Sequence, residues 1–269
     1  MFQTRIENHT MVMEALGGRE RTIRVLLPDG YDQDNSAYPV LYMHDGQNLF
    51  DDRMASYGKS WGIKETVEAL GLHVIVVGID NAGDIRRLDE YCPYINYRLK
   101  YSEGDFIYRN VGGEGEAYGR FLVEQLVPFI DTHYRTLKAP AYRLLAGSSM
   151  GGVISLTVGL SHQAIFGKIA AFSSALWFAE NDLFHFMDDV KDEGLQKVYL
   201  DTGTHESSLD EDMSKIYVST NQAMYRALTR VFGPERVQFV LEQGAIHNEA
   251  AWEKRFKEMI VNFLNCHES

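Results

Sequence analysis

The chain has 269 residues, 45% of them hydrophobic and 24% charged, with a formal net charge of −12; this is the composition of a globular protein long enough to bury a core without disulfides or a structural metal. The acidic balance argues against a nucleic-acid partner and against anionic membranes, since both are held by clustered basic residues. Cys92 and Cys266 stand far apart with no Cys-x-x-Cys pair, no run is long enough to span a membrane, and the opening residues form no apolar leader, so neither a zinc nor a redox motif is indicated and the expected location is cytoplasmic.

No repeat or linker interrupts residues 1–269, which read as one domain. Residues 1–27 alternate loosely, as antiparallel strands do, most clearly over Arg21–Leu27. Short apolar runs then follow at Val40–His44, Val74–Ile79, Tyr142–Ala146, Lys168–Phe172, Lys197–Leu200 and Val237–Leu241. Bounded by Gly, Asp or Ser, these suit strands buried on both faces of a parallel sheet. Helical patterns lie between and after them, at Gly62–Leu70, Gly119–Tyr134 (with Pro128 as a kink), Met150–Leu160, Ser214–Phe232 and Glu249–Leu264. The alternation predicts an α/β fold: a mostly parallel central sheet, antiparallel N-terminal strands and helices on both faces. One stretch, Asn81–Glu116, has no clear period and is rich in Tyr91, Tyr94, Tyr97, Tyr101, Phe106 and Tyr108. It reads either as a pocket wall, with Arg86, Arg87 or Arg98 meeting a carboxylate or hydroxyls, or as a surface excursion. Gly112-Gly113-Glu114-Gly115 is no phosphate loop, because no strand leads into it and its acids repel anions.

In such sheets chemistry gathers at the carboxyl ends of the strands. There the run Tyr142–Ala146 enters Gly147-Ser148-Ser149-Met150-Gly151-Gly152, a G-x-S-x-G pattern between a strand and a helix. The frame selects Ser149 as a nucleophile, since Ser148 would need glycine where Ala146 stands. A serine hydroxyl needs a base to take its proton. In the chain order Ser, acid, His, most of the nine histidines come too early and His267 lies in the terminal tail, which leaves His247, after the last apolar run. The acid belongs after the penultimate strand, where Asp201 and Glu206 are both available and Asp210 is a third choice. For the oxyanion, the N–H of Met150 follows the nucleophile, and His44-Asp45-Gly46 after an early strand points to the N–H of Gln47. Trp177, just past a strand end, could be a substrate platform or core packing.

The segments Tyr38–Phe50, Val77–Asn81, Leu126–Asp131 with Tyr134-Arg135-Thr136, Gly147–Gly152, Phe172–Trp177, Gly203–Glu206, and His247 with Ala251-Trp252 occur in that order. As a set they resemble the putative-esterase family of α/β-hydrolases, related to esterase D, enterochelin esterases and the feruloyl and acetylxylan esterases. The resemblance implies the α/β-hydrolase fold and a Ser-acid-His triad whose acid lies three residues beyond a glycine. Counted from Gly203 this gives Glu206, a glutamate where the family usually has aspartate. The expected activity is hydrolysis of small or saccharide- or aryl-linked carboxylic esters through an acyl-enzyme, without metal or organic cofactor. The alternatives are an acyltransferase or thioesterase on the same triad, or a catalytically silent binding domain.

Overall fold

The computed structural model describes residues 4–33, 35–99, 102–103, 106–107, 110–207 and 210–264. Eight strands form its main sheet: β1 (Arg5–Met13), β2 (Arg19–Leu27), β3 (Val40–His44), β4 (Ile75–Ile79), β5 (Arg143–Ser148), β6 (Lys168–Phe172), β7 (Lys197–His205) and β8 (Val237–Ile246), in the order β1-β2-β4-β3-β5-β6-β7-β8. The first two strands are antiparallel to their neighbours, and every pair from β4 through β8 is parallel. This is the α/β-hydrolase fold.

Side chains alternate across a strand, so each buried strand feeds two cores. Tyr42, Leu145, Ala171 and Leu200 face one cluster, and Leu41, Leu144, Ala170 and Tyr199 face the other. Helices α1 (Ile63–Ala69) and α8 (Glu249–Leu264) cover the second face with Ile63, Val67, Phe256 and Ile260. The first face is covered by α3 (Gly115–Arg120), α4 (Val127–His133), α5 (Met150–Ser161), α6 (Glu180–Asp189) and α7 (Glu211–Phe232), after a short α2 (Asp84–Glu90). In α5 every residue from Met150 to Leu160 is buried, so it lacks a polar stripe and sits at the centre of the molecule.

Pro128 does not break its helix. A π-helical segment, Phe121–Leu126, joins α3 to α4 just before the proline, which occupies the first turn of α4, where its missing N–H and its ring are tolerated. The 81–116 stretch is less irregular than its sequence reads: it holds α2 and the short pairings of Ile95–Asn96 with Val111–Gly112 and Ser102–Glu103 with Phe106–Ile107. Seven helical residues are too few for a period to stand out. Tyr101 and Tyr108 lie outside the described residues. Strands β7 and β8 each run five residues beyond their apolar cores, through Asp201–His205 and Glu242–Ile246. Among the described residues no helix is long and apolar enough to cross a membrane.

Candidate active site

Because β3 and β5 to β8 are mutually parallel, the residues that follow them meet at one edge of the sheet. Ser149 comes directly after β5, Glu206 after β7 and His247 after β8. Ser149 sits at φ 58°, ψ −121°, a conformation that costs a non-glycine residue about 1–3 kcal/mol. Its backbone is held there: the N–H donates to Phe172 O at 2.9 Å, and its carbonyl accepts from Gly152 and Ala175. The turn closes only because its flanks lack side chains. A Cβ on Gly147 would stand 2.7 Å from the Gly151 backbone. Gly147→Ala is therefore expected to destabilise the fold by about 1–3 kcal/mol and to displace Ser149, seen as a lowered thermal midpoint together with slowed labelling by a fluorophosphonate.

The His247 Nδ1 lies 2.6 Å from Glu206 Oε2. Glu206 is enclosed, and its other oxygen accepts from Ser173 Oγ at 2.6 Å, Thr202 Oγ1 at 3.1 Å and the Gly203 N–H. Burial alone would push this carboxyl up, but the hydrogen bonds from His247, Ser173 and Gly203 outweigh it and hold Glu206 below its ordinary value. The loop reaches that position through a register shift in β7 between Gly203 and His205. Gly203 presses against the Ala245 carbonyl there, where a Cβ would collide.

Asp201 is fully buried and otherwise engaged. It forms an ion pair with Arg255, whose Nε lies 3.0 Å away, and accepts from Tyr199 Oη at 2.9 Å and the Ser173 N–H at 2.9 Å, and burial pushes its carboxyl up to about 7 against the pull of Arg255. Asp210 caps α7, accepting from the Asp212 and Met213 N–H groups. The structure thus pairs the histidine with Glu206 alone among the three acids.

Ser149 and His247 line one cleft of about 590 Å³, with Asp45, Arg87, Asn81, Glu249 and Trp252 among its walls. The imidazole is gripped by rings, with Tyr217 at 5.1 Å and Trp252 edge-on at 4.9 Å between centroids. Met150 is the first residue of α5, so its N–H belongs to the first helical turn and lacks an intrahelical acceptor. Gln47 lies in the turn Gly46–Asn48 beyond β3; its Oε1 accepts from the Asn81 N–H at 3.1 Å and its side chain borders a different cleft with Gly46 and Phe50. Gln47 is not among the residues lining the cleft that holds Ser149. Trp177 packs edge-on against Tyr217 at 6.2 Å rather than walling the cleft.

Several residues at the site carry no sequence signal of their own. Arg87 clamps Asp45 through two bonds of 2.7 and 2.8 Å, with Asn81 Nδ2 on the same carboxylate at 2.7 Å. Burial would raise the Asp45 carboxyl, but Arg87 holds it low. Of the three arginines weighed for substrate contact, this one enters the cleft, while Arg86 and Arg98 are exposed. Ser173, at φ 42°, links Glu206 to Trp252 Nε1 at 3.0 Å and Arg255 Nη2 at 2.9 Å. Among the described residues no group of three or more His, Cys, Asp or Glu is gathered as for a metal ion.

The sequence profile of the family described as "Esterase: Putative esterase" matches residues 14–263. The chain is 24% identical over 237 residues to "Uncharacterized protein YbbA" of Bacillus subtilis (strain 168), covering 88% of this chain and 89% of that protein. Among solved structures it is similar to a ferulic acid esterase, with a TM-score of 0.69 at 20% identity, covering 98% of this chain and 99% of the other. It is also similar to the enterobactin esterase FES from Shigella flexneri, with a TM-score of 0.72 at 17% identity, covering 96% of this chain and 58% of the other.

Proposed function

Since the chain belongs to the putative-esterase family, we propose that it hydrolyses carboxylic esters through a covalent acyl-enzyme formed on Ser149. One observation carries this reading: the short Glu206–His247 contact ends in the same cleft as a serine held at φ 58°. With Nδ1 engaged by the carboxylate, Nε2 is the imidazole atom left to take a proton. His247 removes the Ser149 proton, Oγ attacks the ester carbonyl, and the Met150 and Gln47 N–H groups receive the oxyanion. The imidazolium then protonates the departing alcohol. Water attacks the acyl-enzyme with His247 again as base, and the acid leaves.

The substrate class is read as small esters, including aryl- and saccharide-linked ones. The polar walls built from Asp45, Arg87, Asn81 and Glu249 supply donors and acceptors for hydroxyl groups beside the reacting bond. No metal or organic cofactor has a part in this scheme, and the eight-stranded sheet, drawn from residues 5 to 246, supports reading the chain as one domain. Incubation with a fluorophosphonate probe, followed by peptide mass analysis, is expected to place a single adduct on Ser149. A folded protein that takes up no label there would leave the silent binding domain as the better reading.

A further inference from the structure

Tyr217 projects from α7, which the proposed mechanism does not use, yet it is buried beside His247. Its ring packs on His247 on one side and meets Trp177 on the other. Ser149 and Trp177 are the side chains whose hydrogen bonding weighs against burial on the acidity of its phenol. Neither contact closes to full hydrogen-bond geometry, and the indole nitrogen is buried without a partner. A buried N–H left unpaired costs about 1–3 kcal/mol. Contacts among catalytic groups are often long in a free enzyme and tighten once the reacting species is bound.

Resting on the acyl-enzyme reading above, we propose that Tyr217 is a catalytic residue that donates a hydrogen bond to Ser149 Oγ, with the Trp177 indole N–H donating to Tyr217 Oη behind it as a positioning group. Burial, offset in part by Trp177 and Ser149, raises the phenol above its ordinary value, so the hydroxyl keeps its proton at neutral pH and acts as a donor. The bond acts unequally on the two halves of the reaction. In acylation Oγ is the nucleophile, and a donor to it lowers its basicity while fixing its direction, two effects that oppose each other. In deacylation Oγ is the leaving group. A bond forms between the water oxygen and the acyl carbon, the carbon–Oγ bond breaks, the water proton passes to His247, and Oγ recovers that proton. Negative charge gathers on Oγ as the bond breaks, and the Tyr217 donor stabilises it.

The test is stopped-flow hydrolysis of p-nitrophenyl acetate by wild type, Tyr217→Phe, Trp177→Phe and the double variant. Phenylalanine keeps the ring against His247 and removes only the hydroxyl. The p-nitrophenol burst is expected to change less than about twofold in Y217F while the steady rate falls about tenfold, the loss of one hydrogen bond to a charged oxygen, so that acetyl-enzyme accumulates in intact mass spectra. W177F should lower the steady rate about threefold and add nothing in the double variant, because the two groups act through one bond. Equal falls in burst and steady rate, or none, with a normal thermal midpoint, would overturn the role of Tyr217 alone. Absence of any acetyl adduct on Ser149 in wild type and Y217F alike would remove the acyl-enzyme reading with it.

Discussion

Ser149→Ala is expected to lower turnover of a p-nitrophenyl ester by about 10⁴- to 10⁶-fold, the range in which removal of a triad nucleophile falls. The substitution isolates chemistry from folding. What holds residue 149 at φ 58° is main chain: its N–H on Phe172 O, its carbonyl on Gly152 and Ala175, and glycines packed against one another. Alanine accepts that backbone no worse than serine does, so the thermal midpoint should move by less than about 2 °C. The residual rate comes from the oxyanion donors and from binding, which the substitution leaves in place. Steady-state kinetics on purified, folded variant decide the matter. Near wild-type turnover would mean that the reactive group lies elsewhere and that the elbow at Ser149 is only a tight turn.

Legibility of this site in the sequence follows from how local each feature is. The elbow is local: Gly147, Ser149 and Gly151 lie within five positions, and the apolar run before them and the apolar helix after them give it context. His247 follows from chain order once the serine is fixed, because the parallel sheet brings the ends of β5 and β8 to the same edge. The residues alone leave the acid open between Asp201 and Glu206, and only the count from Gly203 that the resemblance implies selects Glu206. Asp201 and Glu206 are five residues apart, and what separates them is the register shift after Gly203 together with Arg255, a residue on α8 that turns Asp201 into part of an ion pair. Neither can be read from the loop's own sequence. In the sequence Arg87 reads no differently from Arg86 or Arg98, since whether its side chain turns inward depends on α2, a helix too short to announce itself. Tyr217 looks like any core aromatic on a helix; its meaning comes from which residues of three other segments it touches. The ends of β7 and β8 outrun their apolar stretches for a related reason: a strand approaching the site exchanges apolar side chains for Thr202, Gly203 and Glu242, and the hydrophobic signal stops before the hydrogen-bonded ladder does.

Glu206→Gln is expected to lower kcat/KM by about 10²- to 10⁴-fold, the upper end being the loss seen when a triad carboxylate becomes an amide. The amide is nearly isosteric, so packing around Ser173 and Thr202 is kept, and an amide turned with its NH2 toward Nδ1 favours the wrong tautomer and leaves the imidazolium without a counter-charge. Asp201 cannot step in. It is committed to Arg255 and Tyr199 on the far side of Ser173, and Asp201→Asn is a stability lesion in comparison, since breaking a buried pair costs about 3–5 kcal/mol. The pH dependence of stability tells the same two acids apart. Glu206 titrates below its unfolded value, so its carboxylate contributes stability that is present in full above the ordinary carboxylate range and is lost as pH falls through the depressed native value. The gap in thermal midpoint between wild type and Glu206→Gln should therefore be widest near neutrality and shrink on acidification. Melts recorded across the acid range, with His247→Ala as a second variant that removes the partner, measure this directly. A gap that stays constant with pH, joined to an unaltered kcat/KM, would mean that Glu206 holds the loop without serving the histidine.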